Sequence, residues 1–252
     1  MSSGFPSGVE CATVLNAGSK PEEPCVARLA RAVFPGLPHH VTQRGNGRQQ
    51  TFFGDSDYAL YRDLLREHCA QAKVAVWTWV LMPNHVHLVL VPSDEDGLRR
   101  ALSRVHRIYA GRIHERLQRT SHFWQGRFGC AAMDDEHCCA ALRYVAMNPV
   151  RAGLVSKCTD WRWSSARAQL GIEGDLLTDV PAVRERVSDF AALLRSAEDE
   201  EAAIRLRRAE TVGRPVGSTA FLDALEKQYG RTVKPAKRGR RPKAPENSAL
   251  SP

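Results

Sequence analysis

The chain has 252 residues, 43% of them apolar and 25% charged, with a net charge of +8. This is the composition of a soluble globular protein, long enough for one ordinary domain with extensions. No apolar run approaches the ~20 residues of a membrane span, no secretory signal is expected from the first thirty residues, and the basic excess points to an anionic partner, nucleic acid first. The seven cysteines, odd in number and without a CxxC pair, read as free thiols in a reducing cytoplasm rather than as a disulfide framework or zinc ribbon.

Residues 1–27, rich in Gly, Ser, Pro and Glu without periodicity, read as a disordered leader. A short strand is expected from His39, followed by a flexible Gly-Asn-Gly loop carrying Arg44 and Arg48, which suits either a phosphate contact or a solvated turn. Asp55 or Ser56 can cap a helix to about Ala72, in which Tyr58, Tyr61, Leu64, Leu65 and His68 recur at helical spacing. Val74 to Leu81 reads as an apolar strand with Trp77 and Trp79, close enough to the next strand to form a hairpin.

That next strand, after Pro83-Asn84, is His85-Val86-His87-Leu88-Val89-Leu90. Residues two apart on a strand share a face, so both imidazoles project from one side while Val86, Leu88 and Leu90 enter the core on the other. Two neutral imidazoles on one face can chelate a divalent metal, although an HxH pair is also an ordinary pair of hydrogen-bonded histidines.

Leu98 to about Leu117 forms a second helix with a basic face, and residues 123–133 a turn and a strand that includes Arg127. Asp134 or Asp135 caps a third helix, expected to end at Asn148 because Pro149 disfavours the helical region for the residue before it. Tyr144 and Asn148, four apart, share a helical face; a half-buried core aromatic and an N-cap for a following helix are equally natural readings of these two residues. Trp161 and Trp163 are expected to close the core, and residues 179–208 suit one or two helices. Between 205 and 243 twelve Lys or Arg stand against three Asp or Glu, and Lys237-Arg238-Gly239-Arg240-Arg241-Pro242-Lys243 reads as either an AT-hook or a non-specific phosphate-binding tail. The order strand, helix, strand, strand, helix, strand predicts an α+β, ferredoxin-like antiparallel sheet with helices on one face and an extra C-terminal helix carrying the tyrosine.

Five co-linear motifs, HVTQRGNGRQ (40–49), MPNHVHLVL (82–90), WQGRF (124–128), RYVAMNPVRAGLV (143–155) and WSSA (163–166), resemble the REP-associated tyrosine transposases, which are single-tyrosine HUH transposases. The resemblance covers about residues 28–172 and extends weakly into RPVGSTAFLDALE. It implies a catalytic domain at 28–172; the remainder, a long extension that the minimal transposases lack, reads from its composition as a helical C-terminal extension at 173–230 and a basic disordered tail at 231–252. It implies Tyr144 as nucleophile, with Tyr109 a weaker rival, and His85, His87 and Asn148 as ligands of Mg²⁺ or Mn²⁺. Arg44, Arg48, Arg127, Arg214, Arg238, Arg240 and Arg241 are the candidate DNA contacts. The implied activity is nicking and strand transfer on single-stranded REP-like hairpin DNA by a cytoplasmic, nucleoid-associated monomer or homodimer. The alternative is a sequence-specific DNA-binding protein without transposition activity; an RNA-binding ferredoxin-like module would show an RNP-type motif, which the sequence lacks.

Overall fold

The computed structural model describes residues 32–234 except Glu198, and of residues 210 and 211 only the backbone. The expected leader at 1–27 and the basic residues Arg238, Arg240 and Arg241 lie outside the described residues. In chain order come β1 (His39–Arg44), α1 (Asp55–Gln71), β2 (Val74–Met82), β3 (His85–Pro92), α2 (Gly97–Leu117), β4 (Gly129–Ala132) and α3 (Asp135–Arg151). The strands lie in the order β2-β3-β1-β4, and every neighbouring pair is antiparallel, which is the expected ferredoxin-like arrangement.

The two faces of the sheet have different cover. Val41, Trp79, Leu81, Val86, Leu88 and Leu90 pack with the apolar sides of α1 and α2. Val80, Met82 and Val89 pack with Cys138, Ala141, Leu142 and Val145 of α3 on the other face. Burial on both sides explains why β2 and β3 read as nearly continuous apolar runs. Among the described residues Cys69, Cys130, Cys138, Cys139 and Cys158 are all free thiols.

Two helix ends differ from expectation. Gly54, not Asp55 or Ser56, is the N-cap of α1, and it makes no side-chain cap. The acceptor is instead Asp57, whose carboxylate takes the Phe53 N–H at 2.8 Å and pairs with Arg116 of α2. Helix α3 does not stop at Asn148; it runs through Pro149 to Arg151. A proline interrupts only one backbone bond near a helix end, and here Val145, Ala146, Asn148 and Pro149 are all buried, so packing holds the last turn. The Ala152 N–H and Leu154 N–H then close on the carbonyls of Asn148 and Pro149, each at 2.9 Å. At the other end Asp134 is the cap: its Oδ1 accepts the His137 N–H at 3.0 Å, and its Oδ2 accepts the Ser218 N–H at 2.7 Å.

After α3 the chain folds back onto the same body. The Leu81 N–H donates to Trp163 O and the Ser165 N–H to Trp79 O, each at 2.9 Å, and buried Trp163 stacks on Tyr58 at 5.0 Å. A short α4 (Ala166–Gln169) follows, then α5 (Val180–Arg184), α6 (Phe190–Arg195) and α7 (Glu200–Val212), three helices where one or two were expected. Val183, Phe190 and Leu206 join the cluster under α3. The Val216 N–H donates to Ala132 O at 2.8 Å, and Ser218 caps α8 (Thr219–Tyr229) by accepting the Phe221 N–H. Leu225 and Val233 close over Phe34 and Ala132. Residues 205–234 are therefore folded against the sheet: the basic excess there sits on helices with buried apolar sides, and Glu226 holds the backbone of Val233 and Lys234 at 2.8 and 3.0 Å.

The loop after β1 is held rather than flexible. The Gly45 N–H donates to Asn84 O at 3.0 Å, the Thr51 N–H to Pro83 O at 2.8 Å, and Asn84 Nδ2 to Arg48 O at 3.0 Å. A Cβ on Gly45 would meet Gln49 O at 2.4 Å and Thr51 Cγ2 at 2.7 Å, so only glycine fits where this loop crosses the start of β3. Gly45→Ala is expected to cost about 1–3 kcal/mol, the usual scale of an overpacked site, measured by denaturant unfolding.

Candidate active site

The β1–β3 register sets Arg44 opposite His85, Thr42 opposite His87 and His40 opposite Val89. Directly opposed residues share a face, and diagonal neighbours lie within reach of long side chains. His40 thereby meets His87: His40 Nε2 and His87 Nδ1 share a hydrogen bond at 3.2 Å, and the rings stack at 5.3 Å. His85 and His87 meet edge to face at 4.9 Å. His85 Nδ1 lies 2.6 Å from Asn84 Oδ1. An amide oxygen only accepts, so His85 Nδ1 carries the hydrogen and Nε2 keeps a free lone pair.

Burial holds these imidazoles neutral. It lowers the His40 pKa to about 4. Burial and then the Arg44 charge lower that of His85 to about 3. His87 is pushed well below its usual value, by burial first and then by His40, His85, Arg44 and Arg151. Neutral imidazole is the form that ligates a metal.

Helix α3 lies over this face and brings Tyr144 to it. The phenol ring stands edge-on to His87 at 5.3 Å and to His40 at 6.0 Å. The Arg151 guanidinium sits 5.0 Å from the centre of the Tyr144 ring. Asn148, one turn beyond Tyr144, is 8% exposed. A cleft of about 100 Å³ opens beside Tyr144, lined among others by Arg143, Ser196, Asp199 and Ala203. The rival Tyr109 is fully buried among α1 and α2 on the other face of the sheet, with its hydroxyl donating to Thr51 O at 2.7 Å. Burial drives its pKa far up, which suits a core residue and not a nucleophile.

The segments bearing three of the expected DNA contacts converge beside His85. Arg44 ends β1 opposite it, and Arg48 is exposed on the loop pinned to Asn84. Arg127 is exposed on a loop tied to β1 through the Gln125 N–H to Arg44 O, 2.9 Å, and Gln43 Nε2 to Gly126 O, 3.1 Å. Arg214 falls elsewhere: it precedes the Val216 contact with Ala132, at the opposite end of β1. Half of the basic face of α2 is already matched, with Arg99, Arg100 and Arg116 paired to Asp96, Asp94 and Asp57.

Sequence reading missed His40 and Arg151. His40 opens the first motif, but only the strand register brings it to His87. Arg151 lies seven residues, two helical turns, beyond Tyr144, a spacing that a helix expected to end at Asn148 conceals. Among the described residues no three His, Cys, Asp or Glu side chains are grouped so as to hold a metal ion. Three imidazoles, His40, His85 and His87, share this face, and Asn148 lies on α3 above it.

Residues 34–148 match the sequence model of the family described as IS200-like transposase, which bears out the resemblance carried by the motifs. Among solved structures, that of a REP-associated tyrosine transposase bound to a REP hairpin is 20% identical with a TM-score of 0.48, covering 62% of this chain and 93% of that one. The crystal structure of a proposed transposase from Deinococcus radiodurans R1 is also 20% identical, with a TM-score of 0.35, covering 48% of this chain and 95% of that one. No curated protein matches the sequence.

Burial of histidines makes stability depend on pH. His39 is also fully buried, accepting the Phe34 N–H and donating to Leu37 O, and burial brings its pKa to about 4. Unfolded histidine titrates near 6.5, so the unfolded chain binds the extra protons as pH falls below that value. Stability is full above pH 6.5 and is lost towards pH 4, by on the order of 3 kcal/mol for each of His39 and His40. Denaturant unfolding across that window measures the loss, and His39→Gln should remove its share.

Proposed function

We propose that the IS200-like segment is a divalent-metal-dependent, single-stranded-DNA endonuclease and strand transferase that acts on hairpin DNA of the REP type with Tyr144 as nucleophile. The observation that carries this reading is the meeting of the Tyr144 ring with His40 and His87 on one sheet face.

The donor set fits a divalent ion. His85 presents a lone pair at Nε2 because Asn84 takes the hydrogen at Nδ1, and the hydrogen bond to His40 occupies the corresponding Nδ1 of His87. Such outer partners orient ligating imidazoles. His85, His87 and Asn148 would hold Mg²⁺ or Mn²⁺, and an all-neutral ligand set leaves the ion its full charge. Bound there, the ion would draw charge from a phosphate oxygen and orient the phosphodiester.

The chain itself supplies the rest. The Tyr144 oxygen attacks phosphorus: the oxygen–phosphorus bond forms, the bond from phosphorus to the 3′ oxygen breaks, and the phenol proton passes through solvent to the departing 3′ oxygen. The products are a 5′-phosphotyrosine and a free 3′-hydroxyl. A second 3′-hydroxyl reverses the step on a new strand, and because the phosphoester is conserved no ATP is consumed. The absence of the P-loop pattern GxxxxGK[ST] from the sequence agrees with this. Arg44, Arg48 and Arg127 meet the phosphate backbone on the way into the site, and Arg44 and Arg151 place positive charge beside His87.

Tyr144→Phe is expected to abolish the covalent protein–DNA adduct formed with labelled hairpin DNA and Mn²⁺ while hairpin affinity stays within about twofold, since only the attacking oxygen is lost. His85→Ala and His87→Ala should each abolish metal-dependent cutting. Tight hairpin binding by the unaltered chain, with no cleavage and no adduct by denaturing gel and peptide mapping, would refute the enzymatic reading in favour of a binding-only protein.

A truncation after Lys234 removes Lys237, Arg238, Arg240, Arg241 and Lys243. It should weaken DNA binding and flatten the dependence of log affinity on log salt by about 0.7 for each lost contact to single-stranded phosphate. Anisotropy titrations across a salt series read the slope directly.

A further inference from the structure

One side-chain amide joins the start of β3 to the loop after β1. Asn84 Nδ2 donates to Arg48 O at 3.0 Å, and Asn84 Oδ1 lies 2.6 Å from His85 Nδ1. The Arg48 oxygen is a backbone carbonyl and only accepts, so it fixes which end of the amide faces it. The amide oxygen is thereby turned to His85, whose Nδ1 must carry the hydrogen. A carbonyl in the loop thus sets the tautomer of an imidazole on the sheet, and with it the lone pair at Nε2.

Closing the loop does not require this bridge. Backbone bonds already tie it to the same two residues, from the Gly45 N–H to Asn84 O at 3.0 Å and from the Thr51 and Phe52 N–H groups to Pro83 O at 2.8 and 3.2 Å. Nor does the Arg48 carbonyl stand where it does by default. Arg48 has a φ of +62°, a left-handed conformation that residues other than glycine seldom adopt. Strained residues persist where their surroundings over-determine them, and they gather at sites of function. In this conformation the Arg48 carbonyl meets Asn84 while its side chain stays exposed.

We propose that Asn84 is a positioning residue that couples two halves of the site: it carries the conformation of the 45–51 loop, which bears the phosphate contact Arg48, to His85 and orients that imidazole for a divalent ion. This rests on His85 being a metal ligand. Linkage is reciprocal, so an ion on His85 orders the loop as much as the ordered loop strengthens the hold on the ion. An anionic strand settling on Arg48 and an ion on His85 then favour the same arrangement.

The test uses the full chain with ¹⁵N-labelled histidine rings, first without metal. In the unaltered chain the NMR spectrum should place the His85 hydrogen on Nδ1. Asn84→Leu, similar in shape without the polarity, should shift His85 towards the Nε2–H form. It should also weaken Mn²⁺ binding, read by electron paramagnetic resonance, by about 10–100-fold, the scale of losing an outer partner of a ligand. Asn84→Asp still accepts from His85 Nδ1 but offers no N–H to Arg48 O. It should keep the tautomer and the Mn²⁺ affinity, while residues 45–51 exchange amide hydrogen faster than in the unaltered chain. Added Mn²⁺ should slow that exchange in the unaltered chain and leave it unchanged in Asn84→Asp, although that variant binds the ion. A His85 tautomer unmoved by Asn84→Leu, or a loop that responds to Mn²⁺ equally in Asn84→Asp and the unaltered chain, overturns the inference. Equal losses of Mn²⁺ affinity in the Leu and Asp variants with lowered melting temperatures would show a structural role and overturn it too. Should the unaltered chain take up no Mn²⁺, the metal reading of His85 fails and the coupling with it, a result that the metal-free spectra separate from all the others.

Discussion

The pairing of β3 against β1 is the constraint on which the site depends. Side chains alternate faces along a strand, so a slip of one residue moves the whole set to the other side of the sheet. In the observed register His85 and His87 face α3, while Val86, Leu88 and Leu90, all fully buried, face α1 and α2. Each of those apolar side chains contributes about 1.5–3 kcal/mol through its burial. A slipped strand would forfeit much of that and press two imidazoles into an apolar cluster. The residues that hold the histidines in place are thus the ones that face away from them.

The same geometry settles the electrostatics. Three imidazoles are sunk in the sheet face and kept uncharged by burial, with Arg44 and Arg151 adding to the effect on His87. Fixed cations stand around groups that remain neutral, and the Glu200 carboxylate is engaged by both Arg151 and Arg207. In the proposed reaction a phosphodiester would bring its negative charge to a site whose imidazoles are neutral and whose fixed charges are arginines.

Much of this was legible in the sequence, for physical reasons that can be named. The period-two pattern of residues 85–90 fixed a strand with both histidines on one side, and the alternation of strand and helix fixed the sheet order. Tyr144 emerged from the motif context that follows it. Other parts were hidden because they depend on tertiary packing. The local preference of Asn148 before Pro149 argues for a helix end, and burial of the last turn overrides it. His40 acquires its partner only through pairing between residues 47 apart, and Arg151 comes over the Tyr144 ring only because α3 continues past Pro149. The helical reading of residues 173–230 holds for α5 to α8, whereas residues 231–234, expected to open a disordered tail, are held to α8 through Glu226, a contact composition does not show.

Asp134 has a consequence for how such chains can diverge. One of its oxygens starts the helix that carries Tyr144, and the other fastens the backbone of Ser218, 84 positions later, at the start of α8. In front of it Gly217 leaves no room for a side chain, because a Cβ there would stand 2.8 Å from the carboxylate and 2.4 Å from Phe221. A recombination event that exchanged everything after α4 would sever this link unless the incoming segment also brought a free N–H and a glycine to the same point. The C-terminal extension is therefore not a detachable module: it travels with the tyrosine helix, and the two are constrained to vary together.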